Sequence, residues 1–364
     1  MAGADKTNET SMHVMSGIKS QHDGMGKATV KKFAKKKSLH INEEEYIREI
    51  RNGSRLHLAK AITFIESTVV DQQTIGQQLL KQLLPHTGDS IRIGITGVPG
   101  AGKSTFIEAF GKMLCNQGYK VAVLAIDPSS SLTGGSILGD KTRMEELAKH
   151  QNAFIRPSPS AGTLGGVHKK SRETMLLCES AGYDVILVET VGVGQSETIV
   201  RGMVDFFLLI ALTGAGDELQ GMKKGIMELA DAIVVNKADG SNEKLAKKTV
   251  AEYKQILHFL APSTPDWLTP ALAVSSIYKT GLDRVWETIL LFQEKMKTNN
   301  VWQNRRKEQT VDWYKSMITD RLYDDFFSSK EKKKSMMQLE QLVREEKMTV
   351  SQAVDELFSS NSTQ

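Results

Sequence analysis

Between residue 91 and about residue 293, short apolar runs alternate with stretches whose apolar residues recur at helical spacing. The runs at 91–95, 121–126, 154–156, 185–189, 206–212, 232–235 and 272–275 have the length and continuous hydrophobicity of strands covered on both faces. Strands that alternate with helices in this way predict an α/β fold, a doubly wound and mostly parallel sheet. Each run ends in a polar or glycine-rich loop, and open sheets of this class bind ligands beyond the carboxyl ends of their strands.

Upstream, residues 42–84 predict helix. Ile47, Ile50, Leu56, Leu58, Ile62, Ile65, Val69, Leu79, Leu80 and Leu83 keep an apolar face until Pro85 and Gly88 break the pattern. An N-terminal helical segment is therefore expected over 42–89 and a main domain over 90–293. Residues 294–364 turn to charged helical patterns at 311–327, 336–343 and 350–357, with the basic run 330–334 dividing the first two. That region is too short and too charged for a core of its own, so it packs on the main domain or on another subunit. Trp302, Trp313 and Tyr314 are the residue types suited to such a contact.

Composition narrows the class. A chain of 364 residues, 40% hydrophobic, can bury a full core, and a net charge of +4 does not indicate a nucleic-acid partner. The basic excess gathers at Lys27, Lys31, Lys32, Lys35, Lys36 and Lys37, in a segment (1–41) read as a solvated, disordered tail. Apart from Phe33, no interleaved aromatics offer base stacking there. Cys115 and Cys178 lack metal-ligand spacing and read as buried thiols in a reducing compartment. The first forty residues have no apolar signal core and no arginine, and no run is long enough to span a bilayer. A cytoplasmic location is expected, or the mitochondrial matrix for a processed eukaryotic form.

The chemistry concentrates after the first strand, in Gly97, Val98, Pro99, Gly100, Ala101, Gly102, Lys103, Ser104 and Thr105. A Gly-x4-Gly-Lys-Ser loop wraps a diphosphate in bare backbone N–H groups, sends its lysine to the outer phosphates and its serine hydroxyl to Mg2+. A strand before it and a helix after it place those phosphates on a helix N-terminus. The second strand ends at Asp127, and Asp140 follows in a glycine-rich loop. Both carboxylates are candidates for the metal, and a turn at a strand end is the other reading of Asp127. The fourth strand delivers Glu189, where many GTPases carry aspartate, to bind Mg2+ through water or orient the attacking water. Gly192 follows and offers an unobstructed N–H to the γ-phosphate. Val193 stands where Ras-like proteins place a water-orienting glutamine, which predicts slow intrinsic hydrolysis that a partner speeds. Gln195, two places on, either replaces it or is a polar residue opening a helix. The loop after the fifth strand carries Asp217, Gln220 and Lys223, which either couple nucleotide state to a partner or cap and solvate a helix. His168 and Lys169 read as surface positions.

Base identity is expected from Asn236, Lys237 and Asp239 after the sixth strand. The aspartate accepts two hydrogen bonds from guanine that adenine cannot offer, the lysine stem covers the base, and the asparagine ties this loop to the phosphate loop. Ser275, Ser276 and Ile277 supply backbone contacts to the base edge.

These residues resemble the MeaB/ArgK family of P-loop GTPases. The resemblance runs from about Glu43 to the C-terminal helices and rests on the phosphate loop and on several further stretches. They are Leu58-Ala59-Lys60-Ala61-Ile62-Thr63, Asp127-Pro128-Ser129-Ser130, Gly139-Asp140-Lys141-Thr142-Arg143-Met144, Arg156-Pro157-Ser158-Pro159, Glu189-Thr190-Val191-Gly192-Val193-Gly194-Gln195-Ser196-Glu197 and Gly216-Asp217-Glu218-Leu219-Gln220-Gly221. It implies a P-loop NTPase sheet with a C-terminal dimerisation arm. The implied protein is a homodimeric GTPase that uses GTP/GDP and Mg2+ to gate cofactor loading in, and to protect, an adenosylcobalamin-dependent acyl-CoA mutase, usually methylmalonyl-CoA mutase. It also implies that Lys103 and Ser104 carry phosphate and Mg2+, that Asp127, Asp140 and Glu189 surround metal and water, that Asp239 reads guanine, and that the loop from Asp217 to Lys223 is a partner-responsive switch. One departure is Ser275-Ser276 where many relatives carry serine-alanine. No cobalamin-ligating Asp-x-His-x-x-Gly segment is evident, so that cofactor is expected on the mutase. The alternative reading, a kinase acting with an amino-acid transport system, requires ATP and a phosphoacceptor.

Overall fold

A computed structural model describes residues 41–126, 144–157, 164–190, 196–213 and 224–359. The N-terminal segment folds as three helices rather than one: α1 (Glu43–Arg51), α2 (Arg55–Glu66) and α3 (Val70–Leu83). Asn42 caps α1 by accepting from the Glu45 N–H, and three first-turn glutamates with Arg48 and Arg51 in the last turn suit the helix dipole. The chain turns at Asn52-Gly53 and again at Ser67–Val69, so the continuous apolar face expected over 42–84 breaks twice. Leu58, Ile62 and Ile65 stay on the inward side, whereas Leu56 and Val69 are exposed, Leu56 on the opposite face of α2 and Val69 at the cap of α3. Gly76 lets α3 lie against α2, since a Cβ there would stand 2.9 Å from the Ile65 nitrogen.

All seven expected strands are present: β1 (Ile91–Gly97), β2 (Val121–Ile126), β3 (Ala153–Pro157), β4 (Val185–Thr190), β5 (Phe206–Ala211), β6 (Ala232–Val235) and β7 (Ala271–Ala273). They form one sheet in the order β3-β2-β4-β1-β5-β6-β7, and every neighbouring pair runs parallel. Strand β7 ends two residues before Ser275, which instead makes an isolated bridge with Thr280.

The connecting helices are α4 (Lys103–Asn116), α5 (Glu145–Lys149), α6 (Leu164–Ser180), α7 (Ser196–Arg201), α8 (Lys224–Leu229) and α9 (Glu243–Phe259). One side of the sheet, through Ile93, Ile95, Val123, Leu187, Leu208 and Ile210, packs on Phe106 and Phe110 of α4 and on Phe292 of α10 (Leu282–Thr298). The other side, through Ala122, Leu124, Ile186, Val188 and Phe207, packs on α6 and on Leu58, Ile62 and Leu79 of the N-terminal helices. Residues 42–89 thus complete one face of the same core. Burial of such runs from water is the main force holding the layers together.

The C-terminal region is α11 (Val301–Ser328), α12 (Lys330–Arg344) and α13 (Val350–Ser359). The basic run 330–334 does not separate helices but opens α12. The break falls at Ser329, whose hydroxyl accepts from the Lys332 N–H and caps that helix. Trp302 and Gln309 are buried at the start of α11, while Tyr314, Ile318 and Leu322 further along stand exposed.

Candidate functional site

The site is built where β1 turns into α4. Strand order places β1 between β4 and β5, so the loop that leaves it opens at the reversal of sheet order, where ligands of open α/β sheets bind. Gly97 ends the strand pressed against β5: a Cβ there would lie 2.2 Å from the Ile210 carbonyl oxygen. Gly102 turns the chain into α4 with φ +84, and a Cβ there would lie 2.7 Å from Asn236 Nδ2. Both positions require glycine, the first for space and the second for space and backbone sign.

Within the loop, Lys103 Nζ donates to the carbonyls of Gly97 at 2.8 Å and Val98 at 3.3 Å. Burial lowers its pKa, and the charge of Glu189 works against that shift. The Ser104 hydroxyl donates to Glu189 Oε1 at 2.9 Å, and the Glu189 carboxylate is buried at the end of β4. Behind it Thr190 donates to Thr96 Oγ1 at 2.9 Å across the β1–β4 seam. The helix N-terminus, the lysine and a hydroxyl beside a carboxylate therefore converge at one mouth. Ser104 and Glu189 are hard oxygen donors, the ligand type that Mg2+ takes together with phosphate oxygens and water. Val98, Pro99, Gly100, Ala101 and Thr105 complete the loop, with Ala101 fully buried and Pro99, Gly100 and Thr105 exposed.

The second half lies at the ends of β6 and β7. Asn236 is buried, its Nδ2 donating to the Ala101 carbonyl at 2.9 Å, so the phosphate loop and the loop after β6 are joined. Lys237 follows in left-handed backbone, φ 58, with its side chain exposed. The Ser275 hydroxyl donates to Asp239 Oδ2 and accepts from the Tyr278 N–H. Ser276 donates through its hydroxyl to Asn236 Oδ1 at 2.7 Å, and Ile277 is exposed at the rim. The sequence suggested only main-chain roles for this last loop. Its two serine side chains in addition hold Asn236 and Asp239 of the β6 loop, a role that adjacent hydroxyl residues after a strand could have signalled.

Asp127, Asp140, Gly192, Asp217, Gln220 and Lys223, with Val193 and Gln195, lie outside the described residues. His168 and Lys169 fall within α6. Both cysteines are buried, and burial pushes the Cys115 thiol up to about 11 and the Cys178 thiol further, which leaves them outside the chemistry. No helix among the described residues is long and apolar enough to cross a membrane.

Comparison with known proteins identifies the family. The family model described as methylmalonyl-CoA mutase-associated GTPase MeaB matches residues 58–331. GTPase ArgK of Escherichia coli is 48% identical over 294 residues, covering 80% of this chain and 89% of that protein. The mitochondrial methylmalonic aciduria type A homolog of Mus musculus is 44% identical over 284 residues, 75% of this chain and 68% of that protein. A crystal structure named as a LAO/AO transport system kinase superposes with a TM-score of 0.73 at 38% identity, covering 89% of this chain and all of the other. A family model that matches most of the chain and relatives of this identity and coverage show that the chain, with its seven-stranded parallel sheet, belongs to the MeaB family of GTPases.

Proposed function

We propose that this GTPase is a nucleotide-timed chaperone of an adenosylcobalamin-dependent acyl-CoA mutase, methylmalonyl-CoA mutase being the client that the family description favours. The observation that carries the nucleotide half is the Asn236 amide, which joins the phosphate loop to a base loop whose Asp239 is already held by Ser275. An aspartate so fixed accepts from the two N–H groups of guanine, and a site built around a required hydrogen bond rejects a base that lacks it. The transport-kinase reading calls for adenine, which offers Asp239 no such pair.

In the mechanism, Lys103 leaves the Gly97 and Val98 carbonyls for the outer phosphates, and the α4 N-terminus and loop amides take the inner ones. Ser104, whose hydroxyl now donates to Glu189, would hold Mg2+ with that carboxylate nearby, and the ion would supply charge neutralisation on the outer phosphates. Glu189 then faces the attacking water and orients it. The water oxygen bonds to the γ-phosphorus as the bond to the bridging oxygen breaks, and the proton passes to the released phosphate. By the family resemblance Asp127 and Asp140 would add carboxylates for the metal, Gly192 would sense the γ-phosphate, and Asp217, Gln220 and Lys223 would carry the change to the partner. With valine at 193, turnover in isolation is slow and the client accelerates it.

Coupling of this kind requires that the GTP and GDP states bind the client with different affinity. The exposed apolar stretch of α11, with a groove of about 560 Å³ lined by Trp313, Tyr314, Met317, Ile318 and Leu322, supports a second copy as the occupant and hence a homodimer. A cytoplasmic setting suits both. The test is co-purification of the mutase in GDP against a non-hydrolysable GTP analogue, with phosphate release measured with and without it. Equal capture in both states and unchanged turnover would reject the chaperone reading.

A further inference from the structure

Ser276 sits where the two halves of the pocket meet, and its hydroxyl is used for something other than contact with the base. The buried Asn236 side chain has to satisfy two faces at once. The Ala101 carbonyl can only accept, so it fixes Nδ2 on the phosphate-loop side at 2.9 Å and turns Oδ1 towards residue 276. There Oδ1 meets two donors from one residue, the Ser276 hydroxyl at 2.7 Å and the Ser276 main-chain N–H at 3.4 Å. The hydroxyl makes the strong bond, while the N–H stands near the outer limit of one. Asn236 and Ser276 are both nearly closed to solvent, so water cannot replace a lost donor cheaply.

The turn that carries Ser276 is itself held firmly. Ser275 and Thr280 exchange two main-chain hydrogen bonds of 3.1 Å, and the Ser275 hydroxyl is committed to Asp239 and to the Tyr278 N–H. The two adjacent serines therefore serve different partners. Ser275 orients the carboxylate that reads the base, whereas Ser276 reaches the phosphate loop through one amide.

We propose that Ser276 is a positioning residue that acts through Asn236 to lock the phosphate loop to the base loop, and that its hydroxyl sets the lifetime of the bound guanine nucleotide. By taking Oδ1 itself, the hydroxyl also leaves the Ser276 N–H with only a long bond, so that this donor remains available at the base edge. Removing the hydroxyl leaves Asn236 Oδ1 with the long bond alone. The amide can then rotate, and the loop that encloses the phosphates loses its tie to the loop that encloses the base. The effect belongs to release of the nucleotide and not to choice of base, because Asp239 keeps its own holder. This inference rests on the guanine-nucleotide reading above.

The experiment uses the full chain and fluorescent GDP, chased with unlabelled GDP, in the wild type, Ser276→Ala, Ser276→Thr, Ser276→Val and Ser275→Ala. Ser276→Ala and Ser276→Val should release GDP about tenfold faster, the size of one net hydrogen bond, and Ser276→Thr should restore slow release because it keeps the hydroxyl. The ratio of GDP to IDP affinity should hold in Ser276→Ala and fall in Ser275→Ala, since inosine lacks the amino group that Asp239 accepts from. In an Asn236→Ala background, Ser276→Ala should add nothing. Wild-type release rates in Ser276→Ala and Ser276→Val, or equally fast release in Ser276→Thr, would overturn the proposal. A wild type that binds no GDP would instead overturn the guanine reading on which it rests.

Discussion

Arg306 grips Asp205 with both prongs of its guanidinium, Nε to Oδ1 at 2.7 Å and Nη2 to Oδ2 at 2.6 Å. The same guanidinium donates to the carbonyls of Gly88 and Ser90, and Asp205 Oδ2 also accepts from the Arg92 N–H at 2.8 Å. Arg305 beside it donates to the Asp205 carbonyl at 2.5 Å. Helix α11 is thus fastened to the amino ends of β1 and β5, the end of the sheet opposite the nucleotide loops.

Arg306→Ala should therefore destabilise the fold without touching nucleotide chemistry. Asp205 is almost fully buried, and breaking a buried pair by removing one partner costs roughly 3–5 kcal/mol. Urea unfolding should show a loss of that order. GDP affinity of the protein that remains folded should match the wild type, and a large loss of affinity would contradict the separation of the two ends.

Acid should attack the same end of the sheet. Burial would raise the Glu179 carboxyl, but two hydrogen bonds and the charge of Arg92, the Ser90 hydroxyl and the charge of Arg306 hold it below the usual carboxylate range. A carboxyl whose folded pKa is depressed adds stability that is complete above its unfolded pKa of about 4.3 and is lost as pH falls through the folded value. Unfolding followed from pH 7 down to pH 3 should show this loss in the wild type. In Glu179→Gln the acid slope should be shallower, and an identical slope would remove Glu179 from the acid response.

The phosphate loop offers a second, sharper substitution. Gly102→Ala forces a Cβ to within 2.7 Å of Asn236 Nδ2 and places an L-residue at φ +84. Left-handed backbone alone costs about 1–2 kcal/mol for a residue with a Cβ, so GDP affinity should fall by at least tenfold while circular dichroism shows the sheet intact. Unchanged affinity would mean that this turn does not enclose the phosphates.

The thiols provide a simple check on the core. Cys115 and Cys178 are buried with raised pKa values, so Ellman's reagent should leave both unreacted in the native protein and react with both after denaturation. Rapid native reaction at either would show that its helix, α4 or α6, opens readily.

The strands were legible because a buried parallel strand is a continuous apolar run, and 121–126 and 232–235 match their expected bounds. The turn at 97–103 was legible because Gly97 and Gly102 meet backbone and side chains that leave no room for a Cβ, and the loop at 236–239 because Asn236 reaches back to that turn. The break of 42–84 into three helices was less visible, since Asn52-Gly53-Ser54 interrupts the apolar face for only one turn. The tie between Asp205 and Arg306 joins residues far apart in the chain, and neither position has a local pattern that marks it as buried. Ser276 carried a signal, a second hydroxyl after the last strand, but its partner Asn236 emerges only when β6 and β7 lie side by side.

If Asp239 reads guanine, base preference must follow the side chain at position 239. Calorimetry of GDP and XDP binding to the wild type and to Asp239→Asn tests it most directly. The wild type should prefer GDP strongly and the variant should prefer XDP, because an asparagine N–H meets the 2-oxo group of xanthine. A variant that still prefers GDP would contradict the claim.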